Sequence, residues 1–222
     1  MRHIIPAILL VSTMVQAAEI TVTNNAASGA GSLLAAIATA NGNSEADTIL
    51  FAPSLNGQTI PGGGYTITSE LTIDASALGA GVILDASYID RVMYITIAAS
   101  NVVLRNLTLI NGFATDGTPD FVNFQDFGGG LYNEGGSTLL DNCRIRFNAS
   151  SYQGGGIYNF GTLTLTNCEI RGNSAQNNNT SAPTPGGGGI YNAAEGTLTI
   201  RNSDIAGNSS AGLGGGLYSL NQ

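Results

Sequence analysis

Short runs in which apolar and polar residues alternate recur along most of the chain. In GTLTLTNCEIRGNSA, from Gly161 to Ala175, Leu163, Leu165 and Ile170 point one way while Thr164 and Thr166 point the other. That is the period of two of a β-strand, not helical spacing. The same frame returns in GTLTIRNSDIAGNSSA (Gly196 to Ala211), in STLLDNCRIRFNAS (Ser137 to Ser150) and, more loosely, in NVVLRNLTLING (Asn101 to Gly112).

A second motif punctuates these runs. GGGLYN occupies Gly128 to Asn133, GGGIYN recurs at Gly154 to Asn159 and Gly187 to Asn192, and GGGLYS fills Gly214 to Ser219. The residues before each Tyr, Leu131, Ile157, Ile190 and Leu217, are 26, 33 and 27 apart, and the long interval holds the polar insertion QNNNTSAPTP from Gln176 to Pro185. Each repeat therefore offers about three short strands separated by Gly or Asn corners. It has no room for a crossover helix, and its strands are too short for a sandwich. Leucine-rich repeats lack the glycine boxes, and a propeller blade needs about forty residues for its four strands. The spacing predicts an all-β right-handed parallel β-helix, with coils of about 26 residues stacked at a step of about 4.8 Å.

The corners have a physical reason. Asn106, Asn142, Asn167 and Asn202 share one repeat position, where the chain turns sharply and Asn tolerates left-handed backbone. Stacked coil on coil, these amides are expected to bond to one another as an internal ladder, with Asn148, Asn173 and Asn208 marking a second corner. The one helical stretch is SLLAAIATAN, Ser32 to Asn41. Ser32 is its N-cap, Leu33, Leu34, Ile37 and Ala38 form its apolar face, and Gly42 ends it. Such a helix would cover the open first coil. The expected organisation is a signal peptide over 1–17, an N-terminal cap over 18–64 and coils over 65–222. The last coil stops just after a glycine box, as expected of a fragment or of the start of a longer solenoid.

The leader changes the picture of composition. A basic start, an apolar run from Ile4 to Val11 and small residues at Val15 and Ala17 predict cleavage after Ala17. Its removal takes away Arg2 and the only histidine, His3, leaving six arginines against fifteen acidic residues, a net charge of −9 with no lysine. A nucleic-acid footprint is not expected from such a chain. Triads and metal sites that need an imidazole are excluded as well. No other apolar run approaches membrane length, so no transmembrane helix is expected in the mature chain.

Two resemblances follow from these motifs. GSLLAAIATANGNSEADTILF, Gly31 to Phe51, resembles the CSLREAI signature of bacterial secreted β-helix proteins of the pectin-lyase-like class, with Leu34 in place of the usual Arg and Ala35 in place of the usual Glu. The glycine box with RFNAS, RGNSA or AGNSSA is similar to the repeats of chlamydial polymorphic outer membrane proteins, and Phe147 with Asn148 comes nearest to their FxxN half. The resemblance implies a secreted or cell-surface location, the outer membrane included. It also implies a non-enzymatic adhesion or display role, with a host or environmental glycan or protein as partner. It leaves a polysaccharide lyase or a structural stalk as alternatives, because pectin-lyase-like folds host both enzymes and adhesins.

Candidate chemistry is sparse. A calcium-dependent lyase needs clustered carboxylates and an arginine base, and Asp74, Asp85 and Asp90 with Arg91 are the nearest approach. Asp116, Asp120 and Asp126 form an acidic loop that could hold a structural calcium; no other cofactor is expected. Tyr132, Tyr158, Tyr191 and Tyr218 recur after the glycine boxes, either as an exposed binding ladder or as a stacked row over the coil corners. Cys143 and Cys168 lie one coil apart, a separation open both to a disulfide and to stacked buried thiols, with Ser203 at the next equivalent position.

Overall fold

The computed structural model describes residues 16–115, 124–176 and 186–221. Met1 to Val15, most of the expected leader, lie outside them, as do Asp116, Asp120 and most of the insertion before Gly186. The alternation read in the sequence becomes four parallel sheets, each collecting one strand from successive coils. The longest has seven strands: Glu19–Val22, Asp47–Phe51, Leu71–Asp74, Asn101–Arg105, Ser137–Asp141, Thr162–Thr166 and Thr197–Arg201. A second sheet runs through Thr59–Pro61, Val82–Asp85, Leu107–Ile110, Arg144–Arg146, Glu169–Arg171 and Asp204–Ala206. A third carries the Tyr of each glycine box, from Tyr65–Ile67 and Met93–Ile95 to Leu217–Ser219. This pairing pattern fits a parallel β-helix.

Two details depart from the expectation. Each later coil has a fourth strand of two residues, as in Ala149–Ser150 and Ser174–Ala175, which sequence periodicity cannot register because two residues show no alternation. Pairing also begins within 18–64, where Glu19–Val22 already lies in register on Asp47–Phe51.

Equivalent residues stack directly: Leu140 on Leu165 and then Ile200, and Ile145 on Ile170 and then Ile205. Leu140, Ile145, Leu165 and Ile170 are fully buried, and burial of each such side chain stabilises the fold by about 1.5–3 kcal/mol relative to exposure. The helix Leu33–Ala40 is capped as read, Ser32 Oγ accepting from the Ala35 amide at 3.2 Å. Its buried face is Leu33, Ala36, Ile37 and Ala40, whereas Leu34 and Ala38 face outward, a rotation that puts spacings of three and four on the neighbouring strands.

The polar interior differs more. Asn106, Asn142, Asn167 and Asn202 take left-handed backbone, φ between 49° and 55°, as the corner requires. As a ladder, however, they supply one described rung, Asn142 Nδ2 to Asn106 Oδ1 at 3.0 Å, and the last three are exposed. The continuous ladders lie elsewhere. Asn148 donates to Asn173 Oδ1 (3.0 Å) and Asn173 to Asn208 Oδ1 (2.9 Å), while each Nδ2 also reaches a main-chain carbonyl. A second runs from Asn133 to Asn159 to Asn192, both steps 2.7 Å, and ends on Ser219 Oγ. Buried amides in identical positions of adjacent coils satisfy each other without water, which an apolar interior would otherwise forbid.

Candidate functional site

The lyase candidates are each occupied locally. Asp74 accepts from the Ser76 amide at 2.7 Å and pairs with Arg105 at 3.1 Å. Burial opposes its charged form, but the bonds from Ser76 and Arg105 outweigh it and hold the carboxyl below its ordinary range. Asp85 accepts from the Ser87 amide and from Asn111, and Asp90 from the Arg91 amide. Arg91 is buried, its guanidinium 5.6 Å from the Tyr94 ring centre and 5.3 Å from that of Tyr132, and burial lowers its affinity for the proton. Among the described residues no three His, Cys, Asp or Glu side chains converge to hold a metal ion. Of the acidic loop, Asp126 is described and buried; Asp116 and Asp120 lie outside the described residues.

The tyrosines form a continuous row, with ring centres 5.1 to 5.4 Å apart from Tyr132 through Tyr158 and Tyr191 to Tyr218 and Tyr94 extending it at 5.2 Å. Tyr94–Tyr132 and Tyr158–Tyr191 are stacked, Tyr132–Tyr158 meets edge to face and Tyr191–Tyr218 is tilted. They are not an open platform. Tyr132, Tyr158 and Tyr191 are buried in a second apolar cluster with Phe127, Tyr152 and Ala193. Thus the outward face of the third sheet is covered by aromatic side chains from its own connecting segments. Burial pushes the Tyr94 and Tyr158 phenols up to about 12 and raises Tyr132 and Tyr191 as well; Tyr94 also donates to Glu134.

Below the ordinary tyrosine value of 10.0 these phenols are protonated whether the chain is folded or not. Above it the unfolded chain ionises first. The urea midpoint is therefore expected to hold up to about pH 10 and to fall as pH approaches about 12. A midpoint that stays level through that window, measured at one-unit steps, contradicts the burial of the ladder.

Cys143 and Cys168 are both buried free thiols. Each contacts main-chain carbonyls, Cys143 Sγ that of Leu104 (3.4 Å) and Cys168 Sγ that of Leu140 (3.3 Å). Burial raises the Cys143 thiol, which favours its protonated form.

Sequence reasoning missed a cationic face. In the second sheet Arg146 is the register partner of Arg171, and Arg144 that of Glu169, with Ile145 and Ile170 between them buried in the core. The side chains of Arg144, Arg146 and Arg171 therefore stand on the outer face, and Arg146 pairs with Glu169. The signal was legible as RIR and EIR in matching frames, read only for their Ile.

Against models of protein families, curated proteins and solved structures, the chain finds no match.

Proposed function

We propose that this chain is an exported right-handed parallel β-helix, closed at its N-terminal end by the helix Leu33–Ala40, that presents a binding surface and does not catalyse a reaction. The observation that carries the reading is the local use of every lyase candidate. Asp74, Asp85 and Asp90 serve a salt bridge and main-chain turns, and Arg91 lies under two tyrosine rings. A lyase base must reach the proton it removes, and a calcium site needs several converging oxygens. Export rests on the Met1 to Ala17 pattern, and the scarcity of basic charge argues against a nucleic-acid partner. Supporting a surface that is not membrane-spanning by helix, no described helix is long and apolar enough to cross a bilayer.

The test is a panel of immobilised polysaccharides and proteins incubated with the purified chain and calcium, recording retention together with the absorbance of unsaturated sugar products. Retention without product is the expected outcome. Product that scales with enzyme concentration contradicts the reading and returns attention to Arg91.

A further inference from the structure

Phe147 is, with Tyr88, one of two exposed aromatic residues that the described backbone holds at positive φ. The register that aligns Ile110, Arg146, Arg171 and Ala206 puts Asn111, Phe147, Gly172 and Gly207 at one corner, all with positive φ. Asn and Gly suit that geometry; Phe147 adopts it at φ 56° although its side chain is bulky. Nor is it compensated by burial, since the residue is 54% exposed. An exposed aromatic held in a left-handed corner costs stability and returns none of it through the core, which points to use of the ring itself.

Its neighbours say what for. The ring lies over Gly172, one coil on, where an added Cβ would come within 2.9 Å of it, and the aliphatic stem of Arg171 lies in turn 4.0 Å from the same point on Gly207. Ring and stem thus follow one another along the corner at the coil step. On the same outer face stand Arg144, Arg146 and Arg171, together with the carboxylates of Glu169 and, one coil on, Asp204. The bond from Arg146, with the nearby charges of Arg171 and Arg144, holds the Glu169 carboxyl below its usual range. Three guanidiniums against two carboxylates leave a small excess of positive charge on this face of a chain whose net charge is negative. Arg146 pairs with Glu169, whereas among the described residues Arg144 and Arg171 enter no salt bridge.

We infer that the corner formed by Arg144, Arg146, Phe147 and Arg171 binds a carboxylated polysaccharide, an uronate ring stacking on Phe147 with its carboxylate against Arg171 and Arg144. The inference rests on the binding-surface reading above and names its ligand class. Glu169 already shows the chemistry, a carboxylate held by Arg146, and guanidinium is the side chain suited to paired hydrogen bonds with that group. The aromatic face supplies what charge alone does not, an apolar surface for the C–H face of a sugar ring.

The experiment is retention of the purified full chain on polygalacturonate, with neutral dextran as reference, for wild type, Phe147→Gly, Phe147→Asn and Arg171→Ala. Gly and Asn are what the other coils carry at this corner, so both variants are expected to keep or raise the thermal midpoint. Wild type is expected to bind polygalacturonate and not dextran, and each variant to bind about tenfold more weakly, as loss of one charge-assisted or aromatic contact implies. Wild-type retention in either the Phe147 pair or Arg171→Ala overturns the site while leaving a binding surface elsewhere. No retention of wild type on polygalacturonate overturns the ligand class; the binding-surface reading then falls only if the wider panel is also silent.

Discussion

Replacing Gly155 by alanine is expected to prevent stable folding, a loss of more than about 4 kcal/mol. Gly155 sits where one coil crosses the short strand of the next, and a Cβ there would lie 2.3 Å from the Ser174 carbonyl carbon and 2.6 Å from its nitrogen. Those atoms belong to backbone, so no rotamer change relieves the overlap. The coils would have to part. Parting them breaks the Gly155 to Gly187 and Ser174 to Asn148 main-chain hydrogen bonds and opens the stack over Ile157 and Ile170. Gly79→Ala is the matched control, because nothing stands within 4 Å of its Cβ position, and it should fall within about 0.5 kcal/mol of wild type. Urea unfolding followed by circular dichroism separates the two. Equal midpoints contradict the close approach of coils at the glycine boxes.

The second large effect is at Asn173. Its Oδ1 accepts from the Asn148 amide (2.9 Å) and side chain, and its Nδ2 donates to the Ile145 carbonyl and to Asn208 Oδ1, both at 2.9 Å. Asn173→Ala leaves the Asn148 amide and the Ile145 carbonyl without those partners in a fully buried position and adds a cavity. At about 1–3 kcal/mol for each orphaned group, the expected loss is about 4 kcal/mol. Asn202 supplies the contrast: it is exposed and kept for its backbone, φ 49°, so Asn202→Gly should cost less than about 0.5 kcal/mol. Similar losses at the two sites would mean that the amides act as corner residues alone.

Those two asparagines also mark where reading the chain succeeds and where it stops. Alternation of Leu163 and Leu165 with Thr164 and Thr166 and the recurrence of GGGxYN are enough for strands, coil length and stacking, because a period of two and a repeat near 26 leave few arrangements. Which Asn turns inward is not legible. Asn167 and Asn173 look alike in sequence, and only the paths between sheets decide that the first bends the chain at the surface while the second bonds in the interior. The tyrosines show the same limit. Recurrence identifies Tyr132, Tyr158 and Tyr191 as a row, but Phe127 and Tyr152, from connecting segments, cover it. The arginine face was hidden for another reason. RIR and EIR were informative as strands, and the clustering of Arg144, Arg146 and Arg171 arises only once the register pairs Arg146 with Arg171.

Every placement above depends on adjacent coils lying parallel and in register, and a pair of nitroxide labels on Thr164→Cys and Thr199→Cys tests that directly. These two residues are register partners on the outward face of the longest sheet, and the native thiols are buried away from the reagent. Neighbouring strands lie about 4.8 Å apart, so the labels should be close enough for strong spin exchange that collapses on unfolding in urea. A folded protein whose doubly labelled spectrum is the sum of the two singly labelled ones contradicts the in-register stack, and with it the corner that gathers Phe147 and the arginines.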